Sequence, residues 1–268
     1  MFQDKHVVIT GGSSGLGLEL ARQLVAQGAK LSLVARSESK LDQAASNLHQ
    51  LQPAARVVVQ SLDVRSEESA RAGMQQLVLA NGDIDIMINS AGILREGPFQ
   101  SLPMNDFREV METNYFGLLI ATRAALPSLL KTRGRLVNIA SMAGLTGAFG
   151  YTSYCASKHA IVGLSEALRY ELKPKGIIVQ LVCPGEFDSP MVDALERTRS
   201  PENRAHALTI PKLSVTSVAA ATLAGISSNR FLIVPGTLTR WTALALRYFP
   251  SLARYLGDAT IARIQTQA

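Results

Sequence analysis

The stretch KHVVITGGSSGLG, residues 5–17, decides the fold of this chain. A short β-branched run ends at Thr10, a cluster of glycines follows, and an amphipathic segment of helical length begins near Leu16. Glycines allow a tight turn and let the backbone approach a ligand with no Cβ in between. The first N–H groups of the next helix are free donors with a partial positive charge. The stretch therefore predicts a strand and a helix joined by an anion-binding turn, with a plain structural turn as the alternative.

The same alternation continues along most of the chain. Segments with apolar residues at three- and four-residue spacing, such as Leu16–Gln27 and Ala160–Leu172, predict helices. Strands that alternate with helices form a parallel sheet covered on both faces. We therefore expect one α/β, Rossmann-type, doubly wound domain over residues 1–268, with a loop insertion at about 186–212 and a helical tail at about 239–268. Apolar β-branched runs predict seven strands near Lys5–Thr10, Lys30–Ala35, Arg56–Leu62, Ile84–Asn89, Gly134–Ala140, Ile177–Val182 and Phe231–Val234.

Composition narrows the functional class. The chain has 268 residues, of which 47% are hydrophobic and 18% charged, which is typical of a well-filled globular protein. Its net charge is +6, but no tract of Lys and Arg with interleaved aromatics favours nucleic acid. Cys155 and Cys183 lack metal-ligand spacing and predict buried free thiols in a reducing compartment. With no signal-peptide or membrane-spanning pattern, we expect a cytoplasmic protein without a metal.

The glycine spacing from Thr10 to Gly17, T-G-x-x-x-G-x-G, resembles that of the short-chain dehydrogenase/reductase family. Further resemblance lies in Asp63, in the segment 89–92 (NSAG) and in the segment 184–189 (PGEFDS). The resemblance implies an oxidoreductase that moves a hydride between a nicotinamide cofactor and a carbonyl or alcohol carbon. Asp63 could instead cap the helix near Arg65–Ala80. The implied cofactor contacts are Gly11, Ser13, Ser14, Gly15, Leu16, Gly17, Asp63, Asn89, Ala91, Gly92, Pro184, Gly185, Phe187 and Ser189.

The end of the second strand bears on which cofactor is bound. In this family an acidic residue there favours NAD, because it accepts hydrogen bonds from the ribose hydroxyls and repels a 2′-phosphate. This chain has Ala35 and Arg36 instead, and an arginine fork suits a phosphate. Ser37 could donate a further hydrogen bond. A solvated surface arginine is the alternative, and Ser14 stands where the family's second basic residue would be. The sequence favours NADP(H).

Four residues resemble the family's Asn-Ser-Tyr-Lys tetrad in order and spacing: Asn114, Ser141, Tyr154 and Lys158. Tyr154 and Lys158 lie four residues apart, on one face of a predicted helix, and Ser141 ends the fifth strand. The resemblance implies that Tyr154 exchanges the proton and that Ser141 polarises the carbonyl oxygen. It also implies that Lys158 lowers the pKa of Tyr154 and holds the ribose, and that Asn114 holds a relay water. The alternatives are a helix-interior amide for Asn114 and a turn residue for Ser141.

Tyr151 is a competing candidate for the proton donor. Four residues after it stands Cys155 rather than a lysine, so we favour Tyr154.

Three stretches also look like the 3-ketodihydrosphingosine reductase subgroup of the family, namely Leu33–Leu41, Phe149–Lys158 and Asp188–Pro190. This implies a long-chain lipid ketone as substrate. The alternatives are a generic NADPH-dependent reductase of small or fatty-acyl ketones, and a non-catalytic NADP-sensing protein. Family analogy also implies a homo-dimer or homo-tetramer.

The tail combines arginines with aromatic residues and leucines. Arg240, Arg247 and Arg254 recur every seven residues, which keeps them on one side of a helix. Interfacial helices that lie on anionic membranes have this composition. The alternative is a helix that packs on the sheet edge or on a neighbouring subunit. The apolar members of the tail are Trp241, Leu244, Tyr248, Leu252, Tyr255 and Leu256.

Overall fold

A computed structural model describes residues 1–207 and 210–266 of the chain. Seven strands form one parallel sheet in the order β3-β2-β1-β4-β5-β6-β7, which confirms the predicted doubly wound α/β class. The strands are β1 His6–Thr10, β2 Lys30–Ala35, β3 Val57–Ser61, β4 Ile86–Asn89, β5 Arg135–Ile139, β6 Ile178–Val182 and β7 Leu232–Ile233. The helices are α1 Gly15–Val25, α2 Glu38–Leu51, α3 Glu67–Asn81, α4 Met104–Met111, α5 Gly117–Thr132, α6 Thr152–Leu172, α7 Pro190–Glu196, α8 Pro201–Ala207, α9 Val215–Ser227, α10 Thr237–Tyr248 and α11 Pro250–Gln265.

The strands are almost wholly apolar because helices cover both faces of the sheet. Val7 and Ile9 of β1 point to one face, where they pack with Leu20 of α1. Val8, between them, points to the other face and packs with Leu129 of α5. Alternate residues of one strand thus enter two separate cores, as expected for a parallel sheet buried on both sides.

The strand order reverses beside β1, and this reversal positions the site. β1 pairs with β2 on one side and with β4 on the other. The loops after β1 and β4 therefore part at the carboxyl edge of the sheet, where open α/β sheets bind ligands. Thr10 joins the two strand ends, since its hydroxyl oxygen accepts hydrogen bonds from the N–H groups of Ser90 at 3.1 Å and Ala91 at 3.2 Å.

Two segments differ in detail from the sequence-based expectation. Helix α6 begins at Thr152, eight residues before the predicted Ala160, so the Tyr154–Lys158 pair lies in its first turns. The insertion at 186–212 holds two short helices, α7 and α8, and the tail forms α10 and α11. Residues 208–209 of the insertion and 267–268 of the tail lie outside the described residues.

Both cysteines are buried and unpaired, as predicted. Within residues 1–207 and 210–266, no helix is long and apolar enough to span a bilayer.

Candidate active site

A cleft of about 1450 Å³ opens at the carboxyl edge of the sheet. Its walls come from the loops after β1, β4, β5 and β6, from α7 and α8, and from the tail helices. The predicted site residues that line it are Gly11, Ser14, Gly15, Leu16, Gly17, Ala91, Gly92, Ser141, Tyr154, Lys158, Pro184, Gly185, Phe187 and Ser189. The predicted residues outside its lining are Ser13, Arg36, Ser37, Asp63, Asn89 and Asn114.

The glycine loop has a backbone conformation that other residue types would adopt only with strain. Gly11 and Gly15 have φ angles of +70° and +52°, in the left-handed region that favours glycine. A Cβ on Gly17 would collide with the carbonyl of Gly11, so glycine lets α1 pack closely on the loop. A Cβ on Gly15 would instead meet only Ser189, 3.9 Å away. The loop thus leaves an open cradle beside the first turn of α1.

The N-terminus of α1 lacks the side-chain cap that four other helices have. Serines at the N-caps of α2, α3, α7 and α9 accept a backbone N–H through their hydroxyl. Among the described residues, Ser14 makes no such bond at the start of α1, and the first turn holds no acid. Uncapped N–H donors beside an open cradle fit the pyrophosphate of a dinucleotide.

Arg36 follows β2 at the carboxyl edge of the sheet and is exposed. Within the part of the chain that the structure describes, its guanidinium forms no ion pair. The Ser37 hydroxyl caps α2, where it accepts the N–H of Lys40 at 3.4 Å, and also contacts Ser39 at 3.2 Å. Arg36 is therefore free to meet an anion, whereas Ser37 already has a structural role.

Asp63 follows β3 and forms an ion pair with Arg65. Its carboxylate accepts hydrogen bonds from the Arg65 backbone at 3.0 Å and from the guanidinium at 2.5–3.0 Å. Arg65 accordingly lowers the pKa of Asp63, and Arg36 contributes in the same direction. The alternative that Asp63 caps α3 is wrong, because the N-cap is Ser66, whose hydroxyl accepts the Ser69 N–H at 3.2 Å.

The side chain of Asn89 supports the sheet instead of facing the cleft. It is buried, and its amide nitrogen donates to Thr122 and to Asn138, both at 2.9 Å. These bonds tie β4 to α5 and to β5. The expectation that this side chain contacts a cofactor is therefore not supported.

Ser141, Tyr154 and Lys158 converge on one wall of the cleft. Ser141 follows β5 and caps a short 3₁₀ turn, with its hydroxyl accepting the Ala143 N–H at 3.1 Å. The ammonium of Lys158 donates to the carbonyl of Ile139 at 3.0 Å. It lies 5.5 Å from the centre of the Tyr154 ring.

The pKa values of Tyr154 and Lys158 differ from what the family resemblance implies. Burial raises the pKa of Tyr154 to about 12, and the hydrogen bond with Ser141 offsets only part of this rise. Burial lowers the pKa of Lys158 to about 8. The family resemblance implies instead that Lys158 lowers the pKa of Tyr154. The chain alone does not do so, because desolvation of the phenolate is the larger effect and the ammonium is bonded to a carbonyl.

Asn114 sits in a π-helical turn, Glu112–Phe116, between α4 and α5. Its carbonyl oxygen accepts the Ile93 N–H at 2.8 Å, and its amide donates to the Ile93 carbonyl at 2.9 Å and to Ser157 at 3.0 Å. A Cβ on Gly92 would stand 3.2 Å from Asn114 Oδ1 and 3.8 Å from Lys158 Nζ, so glycine admits both groups. Asn114 thereby ties the loop after β4 to α6. Single-turn π-helices of this kind are frequent at functional sites.

Sequence reasoning missed two features of the site. Tyr151 is buried against Tyr154, with ring centres 5.6 Å apart and an edge-to-face angle of 70°. The tail also forms part of the cleft wall, a role that the spacing of its apolar residues on one face of α10 could have suggested. Its apolar lining residues include Leu238, Trp241, Ala245, Leu246, Phe249, Leu252 and Leu256.

Known proteins resemble this chain in sequence and in fold. A family model described as short chain dehydrogenase matches residues 5–200. The 3-ketodihydrosphingosine reductase of Mus musculus is 37% identical over 203 residues, which cover 74% of this chain and 61% of that protein. The chain thus spans about three-fifths of the length of that curated relative.

Solved structures share the fold. A short chain dehydrogenase/reductase from Burkholderia phymatum in complex with NAD has a TM-score of 0.82 at 28% identity, covering 94% of this chain and 95% of that one. A variant of actinorhodin polyketide ketoreductase with NADPH has a TM-score of 0.78 at 30% identity, covering 87% and 97%.

Proposed function

Because this chain belongs to the short-chain dehydrogenase family, we propose that it is an NADP(H)-dependent oxidoreductase of a long-chain lipid ketone, such as 3-ketodihydrosphingosine. At the coarser level it is an oxidoreductase of the short-chain dehydrogenase/reductase type. One observation carries the proposal: Ser141, Tyr154 and Lys158 line the same cleft as the glycine loop. The groups proposed to bind the cofactor and those proposed to transfer the proton therefore face the same cleft.

In this proposal the uncapped start of α1 binds the pyrophosphate, and Arg36 binds the 2′-phosphate. Lys158 holds the nicotinamide ribose, and Phe187 and Ser189 face the carboxamide. The bound cofactor supplies the hydride to the carbonyl carbon. Arg36, Lys158 and Ser189 carry donor groups that suit these contacts, and Ser13, Ser37 and Asp63 remain secondary candidates.

Side chains of the protein donate the hydrogen bond and the proton that the carbonyl oxygen needs. Negative charge develops on that oxygen during reduction, so it needs a hydrogen bond and a proton. The Ser141 hydroxyl donates the hydrogen bond, and Tyr154 donates the proton. The raised pKa of Tyr154 keeps the phenol protonated across the neutral range, so the proton is available, although a phenol with this pKa is a weak acid. Asn114 links the loop after β4 to α6 and so fixes both segments beside Lys158.

Selection of NADP(H) over NAD(H) rests on the end of β2. Residue 35 is an alanine and not an acidic residue. Arg36, which follows it, is exposed and forms no ion pair among the described residues. Since one similar structure contains NAD and another NADPH, this local chemistry is the basis of the assignment.

The substrate assignment rests on the apolar wall that the tail contributes. Residues of α10 and α11 line the cleft with leucines, Trp241 and Phe249. Each methylene that such a wall removes from water stabilises binding by about 0.8 kcal/mol. A long alkyl chain would use this wall, whereas a small ketone would leave it empty.

We also propose that α10 rests on an anionic membrane surface. Leu238, Trp241 and Tyr248 are exposed on this helix, as are Arg240 and Arg247, and the first two also line the cleft. Exposed aromatics beside arginines suit the interface of a bilayer. A homo-dimer or homo-tetramer and a cytoplasmic location, the latter from the two free thiols, complete the proposal.

The decisive experiment is turnover of a ketone series from short to long chain with NADPH. Under the proposal, kcat/KM rises with chain length. A flat dependence would favour the generic ketone reductase. Tight NADPH binding without turnover of any ketone would favour the sensing protein.

A further inference from the structure

Two cationic side chains are buried among the lysines and arginines that the structure describes: Lys158 and Arg199. Lys158 belongs to the candidate active site. Arg199 lies in the turn between α7 and α8, and its side chain is 1% exposed. Burying a guanidinium costs several kcal/mol unless partners satisfy it with good geometry.

The partners of Arg199 come from three places in the insertion. Glu186 binds it with both carboxylate oxygens, at 3.0 and 2.7 Å. Glu196, at the end of α7, accepts a hydrogen bond at 2.5 Å, and Asn203 of α8 accepts one at 2.8 Å. The guanidinium thus joins α7, α8 and the segment that leaves β6 beside the cleft.

The same cluster reaches the segment that leads into α6. Asn203 donates to the carbonyl of Phe149 at 2.5 Å. Ser200 donates its hydroxyl to Glu96 at 2.7 Å. Glu96 also packs on Gly150, where a Cβ would stand 2.8 Å from the carboxylate and φ is +73°. The residues around Arg199 therefore hold both ends of the 149–150 turn.

Tyr151 follows that turn and packs against Tyr154, the candidate proton donor. Tyr151 packs in one buried cluster with Leu195 of α7 and Cys155 of α6. Its ring meets Tyr154 edge to face. Burial raises the pKa of Tyr151, and the positive charge of Arg199 opposes this rise.

We propose that Arg199 is a positioning residue, which fixes α7 and α8 as a wall of the cleft and, through Tyr151, fixes the ring of Tyr154. The inference rests on the proposed function for its effect on turnover. Pro190, Met191 and Val192 of α7 line the cleft, so a displaced α7 changes the substrate-facing wall. The glycine loop, α1 and Arg36 form no part of the Arg199 cluster, so the contacts proposed for the pyrophosphate and the 2′-phosphate do not depend on it.

The test compares three variants. Arg199→Lys keeps the charge but loses the planar fork. Arg199→Met with Glu186→Met removes both charges of the pair, a replacement that need not destabilise a fold. Arg204→Met is the matched control, because Arg204 pairs with the same Glu196 but is 51% exposed. Ketone kcat and KM, NADPH Kd and Tm are measured for each.

Arg199→Lys should lower kcat/KM for the ketone by about 10-fold or more, through both a higher KM and a lower kcat, with a much smaller change in NADPH Kd. The double variant should regain the wild-type Tm without regaining kcat/KM, and Arg204→Met should match the wild type. If the double variant regains kcat/KM together with Tm, Arg199 is a structural residue only and the proposal is wrong.

Hydrogen exchange of the cofactor-free chain separates this inference from the proposed function. Faster exchange in residues 149–158 and 190–207 of Arg199→Lys supports the positioning role even if no ketone is turned over. Unchanged exchange there overturns it, whatever the wild-type enzyme reduces.

Discussion

Lys158 holds its ammonium nitrogen 5.5 Å from the centre of the Tyr154 ring while it donates a hydrogen bond to the Ile139 carbonyl. The lysine is thus anchored to the end of β5 rather than to the phenol. The two side chains share a desolvated wall, which favours the neutral form of each. The phenol is held as a proton donor and the ammonium as a group that gives up its proton readily.

The first prediction concerns the proton donor. Tyr154→Phe should abolish ketone turnover and leave NADPH affinity nearly unchanged, because it removes one hydroxyl and little binding surface. Tyr151→Phe is the control, since it keeps the ring that packs on Tyr154. Steady-state kinetics and fluorescence titration with NADPH measure the two effects. An active Tyr154→Phe beside an inactive Tyr151→Phe would identify Tyr151 as the donor.

The second prediction concerns Lys158 and stability. Burial lowers its folded-state pKa to about 8, below the ordinary value of 10.5, so the unfolded chain binds more protons between these pH values. The buried charge therefore costs stability below pH 8, and the cost fades as pH rises towards 10.5. Lys158→Met should stabilise the cofactor-free fold at pH 7 by roughly 2–3 kcal/mol, less the lost bond to Ile139.

Urea unfolding of both proteins at pH 7 and pH 10 measures this difference. The advantage of Lys158→Met should shrink at the higher pH. An advantage that grows with pH would show that the ammonium is stabilised, not penalised, at this site. The same substitution should impair turnover and NADPH binding.

The third prediction concerns cofactor choice. Arg36→Ala should raise the KM for NADPH by about 10-fold or more and leave the KM for NADH unchanged, because one charge-assisted contact to the 2′-phosphate is lost. Arg22→Ala, on the exposed side of α1, is the control. Similar KM values of the wild type for both cofactors would contradict the NADP(H) assignment.

The fourth prediction concerns the tail. Trp241→Ser and Tyr248→Ser should each weaken sedimentation with anionic vesicles by roughly 10-fold, since both side chains are 66% exposed on α10. Tyr170→Ser, at an equally exposed aromatic on α6, should have no effect. Removal of residues 239–268 should abolish vesicle binding. A tail variant that dissociates an oligomer without changing vesicle binding would favour subunit packing.

Much of the fold could be predicted because its signals are local. The β2 strand was predicted with its observed bounds, Lys30–Ala35, since an apolar run between a glycine turn and a serine cap marks both ends. The glycine loop was predicted from conformational needs that only glycine meets. The order of the Asn-Ser-Tyr-Lys residues was available from family resemblance.

The features that were missed depend on distant residues. The Arg199–Glu186 pair joins positions 13 residues apart on either side of α7, and the sequence shows only a charged insertion there. Asn89 was assigned to a cofactor because the segment 89–92 resembles that of the family, but its side-chain bonds go to Thr122 and Asn138, far along the chain. The π-helical turn at Asn114 has no local sequence signal.

The pairing of β1 with β4 has a consequence for how the chain folds. The bond from Ser90 to Thr10 spans 80 residues, so these strands meet only after a long loop has closed. Contacts of high sequence separation slow folding, whereas β1 and β2 can pair as soon as both have been synthesised. We expect a nascent chain to form β1, β2 and β3 first and to acquire its crevice only when β4 joins them. The later strands β5, β6 and β7 would then add the wall that carries Ser141, Tyr154 and Lys158 to a crevice whose first half has already formed.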